Sequence, residues 1–328
     1  MIPAVRTADV LLSSIRAVSG NPSARWATPP EPLRGGYWAE VFKVRLTGAP
    51  GLEGELVARV MPNAEAASRE AIVQGYVADT GFQTPRIRLA SGPTAQLDRA
   101  WSLMDFVEGS LPLQGLSGLA MIAAGPRMFR RLPATVARLS AALHALDPAP
   151  LAALLSTGDE VGWLLTNLSD RAKAKDLTDL LHQVSDVERT RPAADKVGIC
   201  HGDLHPFNVL SGPDGEILLD WTAARIADPF FDVAFSRILF AHLPIAVPRP
   251  ARPIVTAIGR AQARRFLSLY ERDTGRAVDR GRLAWFTRLH AVKMLIELEE
   301  RREASDGTGE PHPYEAIAGR LRKIASGG

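Results

Sequence analysis

The chain has 328 residues, a formal net charge of +3 and a single cysteine, a length that suggests two domains or one large two-lobed one. Its 46% hydrophobic and 23% charged content is that of an ordinary soluble globular protein. A charge this small, with no dense Lys/Arg run and 6% aromatic residues, argues against a nucleic-acid partner; one cysteine excludes an intramolecular disulfide and any multi-cysteine metal site.

Residues 7–18 place Val10, Leu11, Ile15 and Val18 at helical spacing before Gly20-Asn21-Pro22 stops the helix. This stretch is too short and polar for a signal peptide or a membrane span, so a cytoplasmic protein with no membrane partner is expected. Residues 21–32 are proline-rich and read as an irregular connector. Strands are expected at 37–46 and 56–61, separated by Thr47-Gly48-Ala49-Pro50-Gly51. Before the first lies Gly35-Gly36, where backbone amides in a glycine turn can approach phosphate oxygens. It lacks the full G-x-G-x-x-G spacing, and Gly-Gly is most often simply a turn. Arg59 sits within the second strand and Glu70 on a helix expected at 64–79. Paired, they would fix a cation for nucleotide phosphates; the plain alternative is a surface pair worth little.

Further strands are expected at 86–90 and 100–106. A hinge after the latter would offer backbone groups of Asp105 and Val107 to an adenine edge; otherwise it is an ordinary strand and turn. Beyond Gly109 the pattern is mostly helical, with helices at 127–146, 232–241, 254–271, 283–300 and 314–324. The only strands expected there flank the loop HGDLHPFN at 201–208.

That loop follows the apolar run 197–200, and a second run, 217–219, ends in Asp220-Trp221. Asp203, Asn208 and Asp220 form a hard-oxygen set suited to Mg²⁺ and phosphate. Their order matches the phosphoryl-transfer template, in which one Asp orients an acceptor hydroxyl and an Asn and second Asp hold metal. The bland alternative is loop chemistry, which favours Asp and Asn for turns alone. A zinc pair of His201 and His205 would need a helix, which Gly202 and Pro206 oppose. Asp228-Pro229 suits a helix start, and Asp232 in the first turn could accept bonds from the loop backbone. Glu297, Glu299 and Glu300 could attract a cationic acceptor but read as a solvated face. Phe230, Phe231, Trp285 and Phe286 could line an acceptor pocket, although aromatics there are more often core.

With His201-Gly202-Asp203 through Asn208, Asp220-Trp221, Asp228 and Asp232 in this order, the chain resembles the aminoglycoside phosphotransferase/choline kinase-like family. That family is a branch of the protein-kinase-like fold, and the resemblance covers roughly residues 33–240. It implies a two-lobed α+β fold: a small antiparallel β-sheet lobe with one inserted helix, and a larger, mainly helical lobe. The corresponding divisions are 1–104, a hinge at 105–109, and 110–328. The resemblance implies Asp203 as the catalytic carboxylate, Asn208 and Asp220 as Mg²⁺ ligands, and Arg59 with Glu70 ordering the phosphates. Gly35, Gly36, Asp105 and Val107 would contact the nucleotide. It further implies transfer of the γ-phosphoryl of ATP to a hydroxyl of a small molecule. Lysine is common in the family where Arg59 stands, which leaves ATP and GTP both open as donor. A non-catalytic nucleotide-binding module is the rival reading. A protein kinase is less favoured, because no D-F-G or A-P-E element is present. Neither the acceptor nor the oligomeric state is legible.

Overall fold

A computed structural model of the chain describes residues 4–33, 39–111, 118–156, 158–193, 195–213, 215–242, 250, 252–304 and 312–327. Two compact units result. The first is Met1–Leu111 together with Asn208–Ala223, and the second is Pro112–Phe207 with Ala224–Gly328. The sequence placed the first division at the hinge, 105–109; the chain in fact returns to the first unit for residues 208–223.

The first unit begins with α1 (Ala4–Ser19), followed by β1 (Arg25–Trp26), β2 (Glu31–Pro32), β3 (Glu40–Thr47), β4 (Glu55–Met61), α2 (Ala64–Asp79), β5 (Ile87–Ser91) and β6 (Ala100–Asp105). Residues 21–32, expected to be irregular, supply two short edge strands against β3. Those six strands form an antiparallel sheet in the order β1-β3-β4-β6-β5, with β2 also on β3. Alternation on β3 buries Phe42, Val44 and Leu46, whereas β6 is buried along its length because it lies inside the sheet. The α1 side chains Leu11 and Ile15 join Phe42, Val44, Leu56 and Trp101 in one core. Ser14 accepts the Trp101 indole N–H at 2.8 Å, which satisfies a buried donor. Helix α2 starts where Asn63 Oδ1 accepts the Ala66 N–H and packs on β5 and β6. The remaining part of this unit is the hairpin β8 (Val209–Gly212) and β9 (Gly215–Leu218). It attaches through a Ser110–Ser211 bridge and the bond from Leu218 N–H to Gln83 O.

The second unit holds α3 (Gly118–His144), α4 (Ala149–Leu155), α5 (Glu160–Ala174), α6 (Thr178–Arg189), β7 (Gly198–Cys200), β10 (Arg225–Ala227), α7 (Phe230–Ala241), α8 (Arg252–Thr274), α9 (Arg280–Ala304) and α10 (Ala318–Ala325). Helix α8 packs on α3 and α7, and α9 on α6, α7 and α10. Phe231, Phe235, Phe266, Leu143 and Leu289 are fully buried there. Phe231, Trp285 and Phe286 belong to this core, and the Trp285 indole donates to Val187 O; as acceptor-pocket candidates they are corrected. Strand β10 is also unanticipated, pairing antiparallel with β7 through Ile226 and Ile199. Among the described residues no helix is long and apolar enough to cross a membrane.

Candidate functional site

In the first unit, the register of β4 places Arg59 between Val41 of β3 and Ser102 of β6. Its guanidinium Nη1 donates to Glu70 Oε1 on α2. Nη2 reaches Asp220 Oδ1 and Thr222 Oγ1, each at 3.4 Å. The Thr222 hydroxyl lies 2.5 Å from Asp220 Oδ1 and 3.2 Å from Glu70 Oε2, closing a four-residue network. Arg59 and Glu70 side chains are 12% and 4% exposed, whereas Asp220 is 45% exposed and forms the open end. Desolvation pulls the Arg59 guanidinium down, but Glu70 and Asp220 outweigh it and hold the group above its ordinary value. Burial pushes the Glu70 carboxyl up, against the pull of Arg59. The expected Arg59–Glu70 pair is therefore an interior one. Thr222 was not anticipated, although it stands two residues beyond Asp220.

Asp220 has φ +64°, a left-handed conformation that costs a non-glycine residue about 1–2 kcal/mol. Such strain concentrates at functional positions. The β8–β9 register brings Asn208 alongside it: Val209 faces Leu218, and one step further Leu219 N–H donates to Asn208 O at 2.8 Å. The hairpin also runs tight against the chain after β6, since a Cβ on Gly212 would lie 2.9 Å from Glu108 O.

In the segment expected to be a hinge, two of the polar groups of Asp105 are already engaged. Its carboxylate binds Arg88 at 2.6 and 3.1 Å and its N–H donates to Arg86 O. Phe106 N–H is likewise taken by Glu55 O. A cavity of about 510 Å³ is lined by Gln83, Thr84, Asp105, Val107, Glu108 and Ile217 among others, and its lining includes none of Arg59, Glu70 and Asp220. Gly35 and Gly36 lie outside the described residues.

In the second unit, Asp203 sits on the loop after β7. Helix α7 builds that loop. Asp232 Oδ2 and Oδ1 accept the N–H groups of His201 and Gly202, both at 2.7 Å. One turn on, Ser236 Oγ donates to Leu204 O at 2.6 Å. Gly202 has φ +78°, which the bend requires and which only glycine adopts cheaply. His201 is fully buried and its Nδ1 accepts the Asp203 N–H, which holds the loop. His205 Nδ1 accepts the Phe207 N–H, leaving Nε2 to face Asp203 Oδ1 at 3.5 Å. Burial pushes the Asp203 carboxyl up, yet His205, Lys293 and His201 prevail and lower it to about 2. It is a carboxylate throughout the physiological range.

Pro229, not Asp228, is the N-cap of α7, which starts one residue later than the Asp228-Pro229 pair suggests; Asp228 Oδ1 accepts the Phe230 N–H and its carboxylate binds Arg282 at 2.7 Å, a supporting role. The Glu297–Glu300 group is engaged internally: Glu297 with Lys293, Glu299 with Arg302 and Glu300 with Arg171. His144, Cys200 and Asp232 come close enough to hold a metal. Their donor atoms are already committed to Tyr270, Asp232 and main-chain groups, so they form a hydrogen-bonded core instead.

A family model described as the phosphotransferase enzyme family matches residues 30–286. A Ralstonia eutropha JMP134 protein described as an aminoglycoside phosphotransferase superposes with a TM-score of 0.66 at 20% identity, over 97% of this chain and 95% of that one. An amicoumacin kinase in complex with AMP-PNP and Ca²⁺ gives 0.64 at 14% identity, over 100% and 96%. A choline/ethanolamine kinase family protein from Mesorhizobium loti gives 0.57 at 14%, over 98% and 94%. The Bacillus subtilis (strain 168) uncharacterized protein YcbJ is 41% identical over 46 residues, 13% of this chain and 15% of that protein. The structural likenesses establish the protein-kinase-like α+β fold. The family match spans most of the chain, which therefore belongs to the phosphotransferase enzyme family.

Proposed function

We propose that the protein transfers the γ-phosphoryl group of a nucleoside triphosphate, ATP in the first instance, to a hydroxyl of a small molecule. The observation that carries this is the Arg59–Glu70–Asp220–Thr222 network, a buried cation with a strained, exposed carboxylate at its edge. Arg59 Nε is buried and without a partner among the described residues. An unspent guanidinium donor in such a network suits a phosphate oxygen. Asn208 and Asp220 would hold Mg²⁺, which when bound draws negative charge from the phosphate chain.

Asp203 would accept a hydrogen bond from the acceptor hydroxyl and aim its oxygen. With a carboxyl near 2, Asp203 is a weak base, so its contribution is orientation first and late proton acceptance second. His205 and Lys293 keep it ionised while this happens. Asp232 and Ser236 fix the main chain on either side of it. After β6, Val107 would offer its main-chain N–H to a base edge and Asp105 its carbonyl, since the Asp105 N–H is spent on Arg86 O. The cytoplasm is the setting in which such a donor is plentiful.

The test is release of nucleoside diphosphate by the purified protein, ADP from ATP and GDP from GTP, on a panel of aminoglycosides, macrolides, amino alcohols and sugars. Release with at least one acceptor, falling about 10²–10⁴-fold in Asp203→Ala, is the expected result. Magnesium-dependent nucleotide binding without turnover on any acceptor would favour the non-catalytic module instead.

A further inference from the structure

Asp232 does not stand alone beneath the loop. Its Oδ2 also meets His144 Nε2 at 3.2 Å, at the end of α3, and His144 Nδ1 meets the Tyr270 hydroxyl of α8 at 2.9 Å. All three side chains are buried. The rings of His144 and Tyr270 pack edge to face, with centroids 5.7 Å apart. The carboxylate is ionised: burial pushes it up, but the His144 bond, the nearby imidazoles and the Gly202 N–H outweigh that. An ionised carboxylate accepts, so His144 donates to it through Nε2, and Nδ1 makes the second bond, to the Tyr270 hydroxyl. Desolvation holds the Tyr270 hydroxyl protonated.

We infer that His144 and Tyr270 are positioning residues for phosphoryl transfer. They act through Asp232 on the main chain of His201 and Gly202, the two residues before Asp203. A carboxylate with two oxygens and three donors can turn among them; a ring fixed on its far side removes that freedom. The chain Tyr270–His144–Asp232 thus ties α8 and α3 to the loop that aims Asp203. The inference rests on the proposed phosphotransferase reading for its kinetic consequence and on hydrogen bonding alone for its structural one.

The experiment uses the full chain with Tyr270→Phe, which keeps the ring and deletes the hydroxyl, and His144→Gln, whose amide can both donate to Asp232 and accept from Tyr270. Two readouts are taken: amide hydrogen exchange at His201 and Gly202, and turnover against nucleotide KM. Tyr270→Phe should speed exchange at both amides and lower kcat, each by about fivefold, the equivalent of one neutral hydrogen bond. Nucleotide KM should stay within twofold, because Arg59, Glu70 and Asp220 are untouched. His144→Gln should retain more protection and turnover than His144→Ala. Unchanged amide protection in Tyr270→Phe overturns the inference. So does a fall in kcat that only tracks loss of folded protein. If the wild type transfers no phosphate to any acceptor, the proposed function fails while the exchange data still decide whether the relay exists.

Discussion

Removing the Arg59 side chain would leave Glu70 buried beside Asp220 with no compensating cation. Arg59→Ala should therefore destabilise the protein by about 3–5 kcal/mol in urea unfolding. Arg59→Lys should cost less, since it keeps the charge but loses the fork that serves two carboxylates. A loss under about 1 kcal/mol in Arg59→Ala would mean that the pair is solvated after all. Asp203 makes the second residue-scale case. Its carboxyl is lowered to about 2, so protonation of Asp203 should not reduce turnover as pH falls from neutrality to about 4. His205→Ala removes the largest influence that lowers Asp203 and should let the carboxyl climb back toward its ordinary 3.8. A pH–rate profile of both proteins checks this; an acid limb near pH 5 that moves with His205→Ala contradicts it. Arg59 and Glu70 were legible because strand and helix spacing places a cation and a carboxylate near one another. Thr222, Ser236 and His144 were not. Thr222 meets Glu70 across 152 residues of chain and His144 meets Asp232 across 88, distances over which no local pattern carries information.

At the scale of elements, periodicity located the longer helices to within a few residues at most ends, and α2 at both ends, because each buries one stripe. Helix α3, expected from 127, starts at Gly118, and helices α4 to α6 were not marked. Strands β1, β2 and β10 were missed, since two or three residues cannot show alternation and these exist only through their partners. The β8–β9 hairpin depends on close approach to Glu108. Gly212→Val would push a side chain into Glu108 O and should lower the melting temperature and weaken nucleotide binding together. Thermal melts and nucleotide titration of that variant check this; normal values in both would show the approach is not needed. Helix α9 contributes the fully buried His290, whose Nε2 bonds Phe231 O and whose ionisation burial lowers to about 3. Between its ordinary 6.5 and about 3 the unfolded chain binds a proton that the folded one refuses. Stability from this group is thus complete above pH 6.5 and lost as pH falls, at up to about 1.4 kcal/mol per pH unit. Denaturant unfolding from pH 7 to 4.5 should show this slope, reduced in His290→Asn. An identical slope in the variant would assign the acid loss to other groups.

For the whole molecule, composition and pattern pointed to a β-rich first part and a helical remainder, and the fold has both. What linear reading could not supply is the return of residues 208–223 to the first unit. The pairing of the hairpin with Ser110 and Gln83, with the bonds of Asp220 to Arg59 and Thr222 to Glu70, places it there. The consequence is chemical: Asn208 and Asp220 share a unit with Arg59 and Glu70, while Asp203, five residues before Asn208, belongs to the other. Donor-binding and acceptor-orienting roles should therefore separate in variants. The most direct measurement is magnesium-dependent nucleotide affinity and ADP release, taken side by side in the wild type, Asp203→Asn and Asp220→Asn. Asp203→Asn should bind nucleotide as the wild type does and lose turnover by at least about 10²-fold, and Asp220→Asn should lose magnesium-dependent binding. Wild-type turnover in Asp203→Asn, or wild-type magnesium dependence in Asp220→Asn, would contradict the assignment.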